Sequence, residues 1–582
     1  MTRSKEKHQK GVTLVALVVT IIALIILAGV SINMLVGDNG IITQAQRAKE
    51  NTELAQAEEE KQISELVGIL EQETGGGYNT EKKVNAPRLT AGMTPIKFTE
   101  PSSTEKGTVV ETTSEDADWY SYDEKKWANA QTEDGSMWVW IPRFAYRVNS
   151  MNNTFDIVFL VGTTDQYYDE NGVLQTAKRC TSEDEIVDTT TGYTVHPAFT
   201  DETSINYRNG GWDKEITGIW VAKFEAGYAS GNNETEVKAS SVNYSQSNAW
   251  IRSIELHGDT TTGDGNGDAR NWLDGIYGKT TTAIKYPVFQ PTTYSMNYIN
   301  MNDAYNIAKA LNENGNIYGF NGGADSHLMK NSEWGAVAYL SKSQYGLGTT
   351  DITVNNITLN SGAKQRTEST GQNEVDSVYV VTGCTTGSTS SGEKQTTIEN
   401  INATTANEAK DGVYTWDQLN GTKASCTGTI YGVYDMSGGT WERTAGYVAN
   451  GKSQLKTYGA SLTYDGDSLK TVSTKYATVY PHNSTYDSTS ISDTESNLNT
   501  ASTNNWLANT LIYGDAIREI STQGTGSHSW YNDGSGFPGL YAPFTDRGGS
   551  FGDGSSAGLF YFARNDGASY YTFGFRAVVV VS

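Results

Sequence analysis

The chain has 582 residues, with 43 Lys and Arg against 67 Asp and Glu, which gives a net charge of −24 at neutral pH. That charge repels a phosphate backbone and argues against nucleic acid as a partner. Charged residues are only 19% of the chain, while Gly (60) and Tyr (34) are abundant, which suits an extracellular, loop-rich protein with a polar and aromatic surface.

Residues 1–11 (MTRSKEKHQKG) carry Arg3, Lys5, Lys7 and Lys10 against Glu6, and Val12 to Val36 follows without a charge. Twenty-five apolar and neutral residues are enough to cross a bilayer as a helix. The basic flank is then cytoplasmic and everything after Val36 lies outside. Lys10-Gly11-Val12-Thr13-Leu14 and the apolar run after it resemble the processing site of type IV prepilins. The resemblance implies cleavage after Gly11 and methylation of Val12. The fifth mature position is Ala16, where most of that family carry Glu, which counts against assembly as a major filament subunit. After Gly37-Asp38-Asn39-Gly40, residues 41–73 are rich in the helix formers Ala, Glu, Gln, Lys and Leu and are expected to form a stalk, ended by Gly75-Gly76-Gly77.

From Tyr78 onward the sequence expects short strands: Met137–Ile141, Phe144–Val148, Ile219–Phe224 and Ala577–Val581. Helices are expected over Met301–Leu311 and Asn331–Leu340. Residues 347–420, poor in apolar side chains, read as a surface insertion or poorly ordered loop, and 483–504 as a second one. The expected organisation is a leader (1–11), a transmembrane helix (12–36), a stalk (37–77), a linker or first part of the ectodomain (78–136) and a main domain (137–582).

Four motifs in order, MWVWIPRF (137–144), GIWVAKFEAGY (218–228), SHLMKNSEWGAVAYLS (326–341) and YGVYDMSGGTWERT (431–444), precede a closing RGGSF…GFRAV (547–578). This succession resembles the formylglycine-generating enzyme and sulfatase-modifying factor family, a branch of the C-type-lectin-like fold. Gly432, Tyr434, Asp435, Met436, Gly438, Trp441 and Glu442 match its fourth motif, whereas Gly439, Thr440 and Arg443 depart from it. The fold class implied is α+β: an anchoring and stalk helix followed by a large, irregular C-type-lectin-like domain with loop insertions. By residue type, Met436 and Trp441 read as core, Gly438-Gly439 as a turn, and Glu442 as an ion-pair partner of Arg443, Arg547 or Arg576.

Catalysis finds little support. Enzymes of that family need two reactive cysteines near the Arg-Gly-Gly segment, and no cysteine follows Cys426. The three cysteines, Cys180, Cys384 and Cys426, form no C-x-x-C; one disulfide, for instance Cys384–Cys426, stays open. The six histidines have no zinc-ligand spacing. Asp264-Gly-Asn266-Gly-Asp268 begins like a calcium loop, but Ala269 and Gly275 replace its sixth-position Gly and final Glu. No metal ligand set and no cofactor is therefore expected, with structural calcium elsewhere left open.

The segment 530–582 combines Tyr, Ser, Gly, Asn and Asp, the palette of antibody recognition loops, in which Tyr gives contact area at low entropy cost and small residues adapt. Its ending is similar to the variable region of proteins diversified by retroelements, which share the C-type-lectin-like fold. That resemblance implies ligand contacts at Tyr531, Asn532, Asp533, Ser550, Phe551, Gly552, Asp553, Tyr561, Asp566, Ser569, Tyr570, Tyr571 and Thr572, clustered on one exposed face. It implies scaffold roles for Arg547, Gly548, Gly549, Gly574, Phe575 and Arg576. The expectation is a membrane-anchored bacterial surface protein with a non-catalytic binding head. Its partner would be a protein or glycan on another cell, a phage or a host. The alternative is a minor pilin or pseudopilin of a pilus or secretion apparatus, associating with pilin-like subunits.

Overall fold

A computed structural model describes residues 77–581 apart from 180–191, 202–210, 228–286, 294, 298, 366–374, 388–395, 399–411, 484–494, 510–511, 569 and 571. The processing site, the apolar run, the stalk and the calcium-loop-like segment lie outside the described residues, and no described helix is long and apolar enough to cross a membrane. The described chain belongs to one compact unit, Thr74–Ser582, a mixed α+β body in which sheet predominates.

Two seven-stranded sheets organise it. The first is antiparallel throughout, in the order Ala324–Leu328, Ala577–Val581, Gly218–Ala222, Met137–Pro142, Asn129–Gln131, Thr94–Phe98, Val109–Glu111. Its central strands are nearly continuous apolar runs (MWVWIP, GIWVA, AVVVV), buried on both faces, as such runs require. Residues 94–131 supply three of these strands, so the 78–136 segment is built into the main domain. The Gly218–Ala222 strand stops two residues before the expected end. There Lys223, fully buried, turns its ammonium onto Asn129 Oδ1 (2.9 Å) and the carbonyls of Ile430 (2.7 Å) and Gly432 (2.9 Å).

The second sheet is mixed. Its spine is Trp441–Val448, flanked on one side by Thr478–Tyr480 and Phe573–Phe575, both parallel to it. On the other side runs antiparallel Phe544–Arg547, followed by Phe562–Asn565, Ser535–Gly536 and Thr525–Gly526. The chain passes from the second sheet to the first through a single residue, Arg576, between Phe573–Phe575 and Ala577–Val581.

Among the described residues there are four α-helices, Met301–Lys309, Asn331–Ser341, Ser453–Thr463 and Glu495–Ala508. Asn331–Ser341 is buried all round, and Glu333 closes its first turn by accepting the Lys330 backbone N–H (2.8 Å). Gly335 sits mid-helix because a Cβ there would overlap the Gly514 carbonyl.

Two expectations need correction. The described ends of 347–420 are core: Ile352, Ile357, Val381, Cys384 and Val413 are buried, and the Asn355 amide bonds Asp435 (2.8 Å) and the Val381 carbonyl (2.9 Å). Their polar neighbours gave a surface-like composition, but those neighbours are satisfied internally. The stretch expected as a second loop, 483–504, enters the Glu495–Ala508 helix, where Asn505 and Trp506 are buried.

Candidate ligand-binding surface

The fourth motif begins with two left-handed turns. Asp435 has φ +61°, and its carboxylate accepts the Gly383 N–H and the Asn355 amide, both at 2.8 Å. Gly438 and Gly439 follow at φ +76° and +73°. A Cβ on Gly439 would come 2.8 Å from Glu225 Oε1, so glycine is needed for both conformation and space. Thr440 then bonds the buried Glu225 carboxyl through its N–H (3.2 Å) and its hydroxyl. Burial pushes the Glu225 pKa well up, reinforced by Asp435 and Glu442.

Of the three arginines proposed to pair with Glu442, the structure selects Arg576. Its Nε and Nη2 donate to the two carboxylate oxygens at 2.9 and 2.6 Å. Its remaining donors reach the carbonyls of Ala222 (2.7 Å) and Tyr434 (2.7 Å). This fork joins both sheets and the fourth motif with all its partners buried. Burial lowers the Arg576 pKa, but the Glu442 carboxylate more than offsets it and holds the guanidinium charged.

The other two arginines support loops. Arg547 donates to the Asp515 (3.1 Å) and Ala516 (2.9 Å) carbonyls, and Gly548 and Gly549 turn the chain at φ +85° and +75°. Arg443 lies 4.4 Å above the Phe573 ring and bonds Ile299 O (2.9 Å), Asn565 Oδ1 (2.7 Å) and the Ala568 carbonyl. It therefore anchors both ends of the 565–573 loop.

On this base stands an aromatic group. Trp441, expected in the core, is half-buried rather than fully enclosed. Its ring packs on Phe573 (5.1 Å), and Tyr570 meets Phe573 edge-on (6.3 Å). The Trp441 backbone N–H donates to Thr572 O (2.7 Å). Its indole N–H donates to Asp553 Oδ2 (2.6 Å), which also accepts the Ser550 N–H (2.7 Å) and hydroxyl (3.0 Å). Tyr561 leans on Gly534, where a Cβ would overlap its ring. Burial, then the Asp553 charge, raises the Tyr561 pKa.

The contacts expected from sequence divide. Asn532 and Gly552 are exposed; Tyr531, Asp553, Tyr561, Asp566, Tyr570 and Thr572 are half-buried; Ser569 and Tyr571 lie outside the described residues. Asp533, Ser550 and Phe551 are corrections, since they are only 3%, 4% and 5% exposed. Asp533 accepts the Phe560 N–H (2.8 Å), and its carboxyl is pushed up to about 8 by burial and then by Asp351. Ser550 is spent on Asp553, and the Phe551 N–H donates to the Gly439 carbonyl (2.8 Å), so both serve the scaffold.

Tyr531 and Asn532 adopt left-handed φ of +62° and +65°. The Tyr531 ring stacks on Phe560 (6.0 Å, 17°), the Lys342 ammonium lies 3.7 Å above it, and its hydroxyl donates to Asn153 O (3.0 Å). The structure joins Trp441, Asp553, Tyr561, Tyr570 and Thr572, while the Tyr531 side chain is held by Lys342 and Asn153. Sequence reasoning missed Trp441 as a surface residue and Arg443 as a loop anchor. The signal for Trp441 was its N–H, which needs a partner, but that partner is 112 positions away.

The implied scaffold residues Arg547, Gly548, Gly549, Gly574, Phe575 and Arg576 are all buried. Cys384 and Cys426 are buried free thiols, so the bridge left open between them does not form. Burial raises both, Cys426 to about 12, which suppresses the nucleophilic thiolate. Among the described residues no group of three or more His, Cys, Asp or Glu is placed to hold a metal ion. No protein-family model and no curated protein matches the chain.

Proposed function

We propose that this chain is a membrane-anchored bacterial surface protein whose C-terminal head, a C-type-lectin-like domain related to sulfatase-modifying factors, binds a partner without transforming it. The half-buried cluster of Trp441, Tyr561 and Tyr570 beside Asp553 carries the reading. Parts of these large aromatic side chains reach the surface over a base fixed by the buried Arg576–Glu442 fork, so little order is lost when a partner docks. The anchor rests on the uncharged run Val12–Val36 behind a basic flank, and the Lys10-Gly11-Val12 site suggests prepilin-type processing. The inert thiols favour binding over oxidation chemistry.

The test is capture by cells displaying the full chain, screened against protein and glycan libraries, with Trp441→Ala/Tyr561→Ala as the comparison. The unaltered chain is expected to capture a partner that the double variant loses while circular dichroism shows it still folded. Equal capture by both would overturn the assignment of this surface.

A further inference from the structure

Resting on that reading, the geometry points to a cationic side chain, presented by a basic protein segment, as the group the Trp441–Asp553–Tyr561 surface takes. Three observations meet here. First, Asp553 is oriented before any partner arrives: Oδ2 accepts from the Trp441 indole and from the Ser550 N–H and hydroxyl, while Oδ1 makes no hydrogen bond to the described chain. An ionised carboxylate only accepts, so the open oxygen calls for a donor, and a charged donor makes the stronger bond.

Second, aromatic rings flank it. Trp441 and Tyr561 are half-buried next to Asp553, each reaching the surface in part, with Phe573 and Tyr570 behind, and a cation set against such faces gains from their quadrupoles. Third, among the described residues no cation already fills the place. No Lys or Arg among the described residues pairs with Asp553. Arg443, which anchors the loop from the Trp441–Val448 strand, is buried against Phe573, bonded to Ile299, Asn565 and Ala568, and faces Asp546, Asp566 and Asp303. The net charge of −24 draws basic partners toward the head from a distance. A flat aromatic face beside a carboxylate suits the guanidinium best, because it can stack and donate together. A neutral sugar would stack on Trp441 equally well but would gain far less from the fixed charge.

The experiment uses full-length chain in detergent and two octapeptides, one alternating arginine with glycine and one with citrulline, the neutral isostere, in place of arginine. The arginine peptide is expected to bind at least tenfold tighter, and raising salt should weaken it. Asp553→Asn, which can still accept the Trp441 and Ser550 hydrogen bonds through Oδ1, is expected to erase most of that preference. Glu111→Gln, an exposed acid on the edge strand Val109–Glu111, is expected to leave it unchanged. Equal affinity for both peptides, or the same loss in Glu111→Gln as in Asp553→Asn, would overturn the cation assignment. If neutral glycan capture depends on Trp441 while the peptides do not discriminate, the binding head stands and only the cation falls. If no probe of any class responds to Trp441→Ala/Tyr561→Ala, both fall together.

Discussion

The two sheets are held together by different physics. The central strands of the first are apolar runs whose partners are interchangeable in kind, although Asn129 and His327 on its other strands make specific buried bonds: Trp140 and Trp220 oppose one another, and Val578–Val580 fill the space between neighbours. The strands of the second carry Glu442, Arg443, Thr444, Thr545, Asp546 and Arg547 at buried positions, each bonded to particular groups elsewhere in the chain, although Asp546 Oδ1 and Arg547 Nε have no hydrogen-bond partner among the described residues. Truncating an apolar side chain leaves a cavity, whereas removing one member of a buried ion pair strands the charge of the other, which costs more. The surface patch is built on the second sheet, and the patch is therefore as specific as the network beneath it.

The sharpest way to break this contrast is Arg576→Ala. It strands Glu442 beside Asp435 and Glu225 and should destabilise the head by about 3–5 kcal/mol in denaturant titration. Val579→Ala in the first sheet should cost less, about 2 kcal/mol, by cavity formation alone. If Val579→Ala proves the more damaging, the ionic fork is not what joins the sheets.

A third measurement uses pH. His196 is fully buried, its pKa is lowered to about 3 by burial, and its Nδ1 accepts the Ala198 N–H (3.2 Å). In the unfolded chain it takes a proton near pH 6.5, so below that pH the unfolded state binds more protons than the native state. The His196 contribution to stability should therefore fall from pH 6.5 toward 3, by at most about 1.4 kcal/mol per pH unit, against the opposite contribution of buried acids such as Asp533 and Glu225. His196→Asn, which keeps an acceptor for Ala198, should flatten that slope, and an unchanged slope would refute the assignment.

The smallest expected effect separates scaffold from contact. Asp533→Asn should shift stability by less than about 1 kcal/mol, since the amide oxygen can still accept the Phe560 N–H and the native carboxyl is largely neutral at pH 7. Asp533→Ala leaves that N–H unsatisfied and should cost about 1–3 kcal/mol. A large loss of partner capture in Asp533→Asn at full stability would return this residue to the contact surface.

Much of the first sheet was legible in the sequence. MWVWIP and AVVVV announce strands buried on both faces, and Asn331–Leu340 announces a helix by composition, because these signals need only neighbouring residues. Gly438-Gly439 was legible as a turn for the same reason. The polar ends of 347–420 misled, because Asn355 and Thr385 are polar by type yet buried through bonds to groups that a linear reading cannot bring near.

The site divides along the same line. The sequence by itself determined which residue types crowd the last fifty positions, and offered Glu442 three arginines as ion-pair candidates. Only the tertiary structure decided that the partner is Arg576, that Asp533, Ser550 and Phe551 turn inward, and that Trp441 turns outward onto Asp553. The physical reason is that a charge or an indole N–H constrains its partner's chemistry but not its place in the chain. Where that partner lies a hundred or more positions away, the fold alone selects it.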